Sequence, residues 1–124
     1  MYVKVGQNDK CVVLGLINNG EWDKDFESMG HAIMAAADGT VQVYEKGIAV
    51  GPFGTTYAAN DTLGIAVEEI HWMPKARYYL NSECLYESSK TLNFPLKGAI
   101  CLKEDGAYVS ESKITGKWIN PSSK

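Results

Sequence analysis

At 124 residues, with 45% apolar and 22% charged side chains, the chain has the size and composition of a single domain with its own hydrophobic core. A net charge of −3, and Lys and Arg that are scattered rather than gathered on one stretch, argue against nucleic acid as a partner. No apolar run approaches the roughly 20 residues that cross a bilayer, so no membrane insertion is expected.

The chain opens on Tyr2-Val3-Lys4-Val5, which alternates like a strand and lacks the basic flank and apolar run of a secretory signal. Either the chain is made without export, or a signal lies outside the part shown. Cys11 to Ile17 is a nearly continuous apolar run, too short and too β-branched for a helix, and reads as a strand buried on both faces; Asn18-Asn19-Gly20 stops it. Glu21 to Met29 is the longest polar segment. After it, Ala35-Ala36-Ala37 favours helix by propensity, but Asp38-Gly39 before the alternating Thr40 to Tyr44 is a strong hairpin signal, so a hairpin is expected.

Lys46-Gly47 and Gly51-Pro52-Phe53-Gly54 read as turns. Thr62 to Glu68 is the next strand, opened by Asn60-Asp61. Ala76 to Leu80 and Cys84 to Glu87 are two more, joined at Asn81-Ser82-Glu83. Leu96 to Leu102 and Ala107 to Glu111 flank a hairpin turn at Glu104-Asp105-Gly106, and Trp118-Ile119 adds a last short strand. Short strands punctuated by turns every 8–12 residues or so predict an all-β, antiparallel two-sheet β-sandwich spanning residues 1–124 as one domain.

Cys11, Cys84 and Cys101 have no metal-ligand spacing and sit in strand-like stretches. Buried free thiols are expected, which favours a reducing compartment; one disulfide with one free thiol is the alternative.

Three stretches carry a family resemblance. Gly39-Thr40-Val41-Gln42-Val43-Tyr44-Glu45-Lys46-Gly47, then Asp61-Thr62-Leu63-Gly64-Ile65-Ala66-Val67-Glu68, then Arg77-Tyr78-Tyr79-Leu80-Asn81-Ser82-Glu83-Cys84-Leu85-Tyr86-Glu87-Ser88 resemble, in this order, the jelly-roll modules of the concanavalin A-like lectin superfamily, SPRY modules included. Small hemagglutinin-type lectin domains are the most similar in character. The similarity covers about half the chain, from Gly30 to Ser88, mostly at sheet and turn positions. It implies a jelly roll that binds a glycan or glycoprotein, or else a SPRY-like module that docks a protein. Two departures stand out. Ser82 replaces the turn glycine expected after Asn81, and Glu69-Ile70-His71-Trp72-Met73-Pro74 is longer and more apolar than the pattern, like an insertion.

No enzymatic site is legible. Glu68-Glu69 are adjacent and point to opposite faces of a strand, and Asp23 and Asp25 lie in a segment with nothing rigid to hold them as a hydrolase pair. Neither His31 nor His71 lies in a catalytic motif; His31 reads as a hydrogen-bonded structural residue.

Among binding candidates, Trp22, Asp23, Asp25 and Phe26 combine aromatic faces for a sugar's C–H patch with carboxylates for its hydroxyls. Asp23 and Asp25 also have the alternation that suits Ca²⁺, although no cofactor is required. The competing reading is a solvated connection whose Trp22 and Phe26 tuck back into the sandwich edge. Tyr57, Asn60 and Asp61 form a second candidate, although an Asx turn at the start of a strand explains the Asn and Asp well and is the favoured reading. Trp72 and Met73 form a third, a contact patch for a protein partner or for self-association, or else packing over the end of the sandwich. Tyr78, Tyr79 and Tyr86 read as sheet-face residues first and binding residues second.

Overall fold

The computed structural model describes residues 1–6, 10–18, 30–51, 54–70, 72–92, 96–102 and 109–113. The described residues contain eleven strands and no helix, arranged in two antiparallel sheets. They are β1 (Tyr2–Val5), β2 (Val12–Asn18), β3 (His31–Ala35), β4 (Thr40–Glu45), β5 (Ile48–Ala49), β6 (Thr55–Thr56), β7 (Thr62–Ile70), β8 (Met73–Leu80), β9 (Glu83–Thr91), β10 (Leu96–Leu102) and β11 (Val109–Lys113). One sheet, here sheet A, has the order β11-β1-β7-β8-β9. Sheet B has the order β10-β2-β3-β4-β5, with β6 also paired to β4.

Strand alternation explains why one core serves both sheets. Val3 and Val5 of β1, Leu63 and Ile65 of β7, and Ala76 and Tyr78 of β8 point from sheet A; Val12, Leu14 and Leu16 of β2, Ile33 and Ala35 of β3, and Val41 and Val43 of β4 meet them from sheet B. Sheet B is apolar on its other face as well. Val13, Ile17, Ala32 and Ala99 form a second buried cluster there, so the expectation that the Cys11–Ile17 stretch is buried on both sides holds.

The Asp38-Gly39 hairpin forms, with Ala35 opposite Val41. Asp38 Oδ1 accepts from the Thr40 N–H at 3.0 Å and the Thr40 hydroxyl at 2.6 Å, and Gly39 takes the positive φ the bend demands. This turn wins over the helical propensity of the alanines because it delivers four apolar side chains to the two faces of a paired strand. At the β4–β5 bend, Lys46 and Gly47 both have positive φ, as a tight two-residue hairpin requires. Asn81 supplies the left-handed conformation at the β8–β9 bend without a glycine, and its N–H and side-chain oxygen both bond Thr62.

Two expectations are corrected. Leu96–Leu102 and Val109–Lys113 do not form a hairpin with each other: β10 pairs with β2 in sheet B, and β11 with β1 in sheet A. β10 and β11 therefore belong to different sheets. The stretch from Glu69 to Pro74 is mostly strand rather than a connection between strands. Glu69 pairs with Pro74 and Ile70 with Met73, so β7 and β8 run on as one long hairpin whose bend is only residues 71–72. The expected strand at Trp118-Ile119 lies outside the described residues. Cys11, Cys84 and Cys101 form no disulfide among the described residues, as expected, but none of them is buried: Cys11 and Cys101 are half-buried and Cys84 is exposed.

Candidate functional site

The long β7–β8 hairpin projects every second residue away from the core. On β8 these are Met73, Lys75, Arg77 and Tyr79, a line of about 20 Å at the usual rise of a strand. Neighbouring strands extend it sideways. Tyr2 of β1 lies opposite Gly64 of β7, and Gly64 lies opposite Tyr79, so two tyrosines flank a glycine in one row. A Cβ placed on Gly64 would stand 3.6 Å from Tyr79 Cβ and 3.9 Å from Tyr2 Cβ, so that position is bounded on both sides by the tyrosines.

In the next row, Ala66 lies opposite Arg77 and Arg77 opposite Glu87. The Arg77 guanidinium is held by two carboxylates: Nε and Nη2 donate to Glu87 Oε1 at 3.0 and 2.8 Å, and Nη1 lies 2.8 Å from Glu68 Oε2. Bonding to Glu87 first, then to Tyr79, with the charge of Glu68 behind it, holds the guanidinium above its ordinary pKa. Its plane is thus fixed on an open sheet face.

The strip ends at the hairpin bend. Trp72 is 87% exposed and has a φ of 71°, a left-handed conformation that costs a bulky residue about 1–2 kcal/mol. Met73 beside it is 51% exposed and accepts a contact from the Thr91 hydroxyl at 3.3 Å. A positive φ is what a two-residue bend demands, as at Lys46-Gly47, so the hairpin accounts for the backbone of Trp72 and leaves the exposure of its indole without a packing role.

A different polar group lies between the sheets. Glu45, fully buried, accepts at Oε2 from the Tyr78 hydroxyl of the opposite sheet at 3.2 Å. The same oxygen is 3.6 Å from His31 Nε2, and Lys90 Nζ lies 3.9 Å from Oε1. Burial holds His31 below its ordinary pKa, opposed by Glu45 and reinforced by Lys90 and Lys46. Among the described residues its Nε2 has no hydrogen-bond partner. Tyr78 is pushed far up, by burial first and then by the Glu45 charge. This cluster ties β3 and β4 to β8 and β9.

The candidates named from sequence fall in different places. Trp22, Asp23, Asp25 and Phe26 lie outside the described residues. Tyr57 is packed into the core, its hydroxyl donating to the Ala36 carbonyl at 2.8 Å, which leaves no ring face for a sugar. Asn60 has positive φ and its N–H bonds Val5 O at 2.6 Å. The Asp61 carboxylate accepts from the Ala58 N–H at 2.9 Å while the Asp61 N–H donates to the Ala58 carbonyl at 3.1 Å, so Asp61 closes a backbone turn on the residues before it rather than the Asx turn expected at the start of the strand. Trp72 and Met73 do stand together at the surface.

Sequence reasoning missed Tyr2, Gly64, Arg77, Glu68 and Glu87 as a group, because they come together only through the register of four strands. It also missed Glu45, although Val41, Val43 and Glu45 share one parity and so one face. Among the described residues no group of three or more His, Cys, Asp or Glu is placed to hold a metal ion. No helix among them is long and apolar enough to cross a membrane. Comparison of the chain with known protein families, with curated proteins and with solved structures finds no match.

Proposed function

We propose that this chain is a non-catalytic carbohydrate-binding module on a concanavalin A-like jelly roll, with the sugar lying along the outer face of β8. The observation that supports it is the pair of adjacent rows Tyr2–Gly64–Tyr79 and Ala66–Arg77–Glu87. Sugars offer an apolar C–H patch and a ring of hydroxyls. Tyrosine rings suit the patch, and a guanidinium held in one plane suits the hydroxyls. A carboxylate has about four acceptor positions, so Glu68 and Glu87 keep capacity for hydroxyl donors after bonding Arg77. A general acid for glycoside hydrolysis needs an apolar pocket that keeps it protonated; these two carboxylates lie on an open face around a cation, which is why the reading is binding rather than cleavage. Asp23 and Asp25 remain the residues through which Ca²⁺ would act, with Trp22 and Phe26 as further aromatic contacts.

The test is a glycan array read with and without Ca²⁺. Binding that weakens in Tyr79→Ala and in Arg77→Ala, both still folded by circular dichroism, is the expected result. An array with no signal in either condition would sink the reading.

The exposed indole of Trp72 favours a second reading, in which the hairpin bend docks a protein partner in the manner of a SPRY module. Partner capture that survives excess free sugar but fails for Trp72→Ala would select it over the first.

A further inference from the structure

Each sheet ends in strands whose outer backbone groups are a template for pairing, and folded proteins blunt such edges with charge, bulges or brevity. Among the described residues three of the four edges are blunted. β5 is two residues long. β9 carries two register shifts against β8 and exposes Glu83, Glu87 and Lys90. β11 is five residues long with a shift against β1, and its sequence includes Glu111 and Lys113.

β10 is different. Its seven residues pair with β2 in unbroken register, from Leu96 opposite Asn18 to Leu102 opposite Val12. Lys97 is the one charged residue within it, and among the described residues no strand lies along its other side. Ile100 is 36% exposed and Leu102 47% exposed, and Gly98 is exposed between them and the start of the strand. A straight, regular, mostly apolar edge is the form that recruits another strand.

We infer that β10 pairs antiparallel with β10 of a second copy of this chain, about a two-fold axis at Ala99. The sequence of β10 selects a second copy over a foreign peptide because it complements itself about that point. With Ala99 opposite Ala99, Ile100 lies opposite the partner's Gly98 on both sides of the axis, so each branched side chain meets a position with no side chain. An antiparallel pair of identical strands is isologous, so the contact closes at two copies. This goes beyond the carbohydrate reading and does not depend on it, although two weak sugar faces on one particle would gain avidity.

The experiment is sedimentation velocity on the full chain over a concentration series. The expected result is a species of twice the 13.6 kDa chain mass that grows with concentration, and its loss in Ile100→Lys with an unchanged circular dichroism spectrum. As a second measurement that does not depend on Ile100→Lys folding, Ala99→Cys with Cys11, Cys84 and Cys101 replaced by Ser should cross-link to a dimer on mild oxidation. Directly opposed strand residues lie within disulfide reach. A wild-type chain that stays at monomer mass throughout overturns the inference. So does a dimer that Ile100→Lys leaves intact, or an Ala99→Cys variant that does not cross-link.

Discussion

The Tyr78 hydroxyl of β8 donates across the core to the Glu45 carboxylate of β4, at 3.2 Å, and so joins the two sheets through a buried polar bond. Removing the donor leaves a buried carboxylate short of a partner, which costs more than the bond itself contributes. Tyr78→Phe should lower the unfolding free energy by about 1–3 kcal/mol, read by urea denaturation. A change within error would mean that Lys90 or water satisfies Glu45 unaided.

His31 makes stability depend on pH. Its pKa in the folded chain lies below the ordinary value of about 6.5, because burial outweighs the attraction of Glu45. As pH falls through that ordinary value, the unfolded chain takes up a proton that the folded chain resists, so stability drops toward acid and recovers above it. Melting temperature measured from pH 7 to pH 5 should fall less steeply in His31→Gln. Parallel slopes for the two proteins would count against the assignment.

Gly51 is where sheet packing leaves no room. A Cβ there would stand 2.8 Å from Val43 Cβ and 3.0 Å from Val43 Cγ2. Gly51→Ala should destabilise by about 1–3 kcal/mol through overpacking. Adding Val43→Ala should return part of that loss in a double-mutant cycle, and strictly additive effects would show that the clash is not with Val43.

Trp72 separates fold from function. Trp72→Gly relieves left-handed strain of about 1–2 kcal/mol and gives back some of it as unfolded-chain entropy, for a net gain of about 0.5–1 kcal/mol. The expected outcome is a higher melting temperature together with loss of whatever the hairpin bend contacts. A destabilised variant would mean that the indole supports the fold.

Tyr79→Ala should weaken sugar binding by up to about tenfold, the equivalent of one aromatic contact of about 1.4 kcal/mol, with little change in stability because the ring is on the outer face. Isothermal titration with an array hit would read it. Unchanged affinity would move the sugar site off β8.

Much of the fold is local, and that part is legible. Asp38-Gly39 and Lys46-Gly47 specify their own bends, and period-two alternation in Thr40–Glu45 assigns faces directly. What sequence does not carry is which strand lies beside which. Gly106 suggested a turn back, yet β11 gains its partner in β1, at the other end of the chain. The candidate strip was hidden for the same reason: Tyr2 and Tyr79 are far apart in sequence, and their single row depends on the registers of β1 and β8 on β7. Trp72 was legible only as a contact patch or as packing over the end of the sandwich, since an apolar bend suits both, and the register that leaves it 87% exposed is not written locally.

The placement of β1 between β7 and β11 has a kinetic consequence. Tyr2 sits opposite Lys113, so one ladder of sheet A joins the two extremes of the described chain. During synthesis, β2 to β5 and β7 to β9 can zip from their own bends while the first strand keeps one flank open. Closure of that flank is a late, long-range event, slow in the way that high contact order makes it. A nascent chain halted before residue 109 would carry an uncovered valine-rich ribbon, the form most in need of a chaperone.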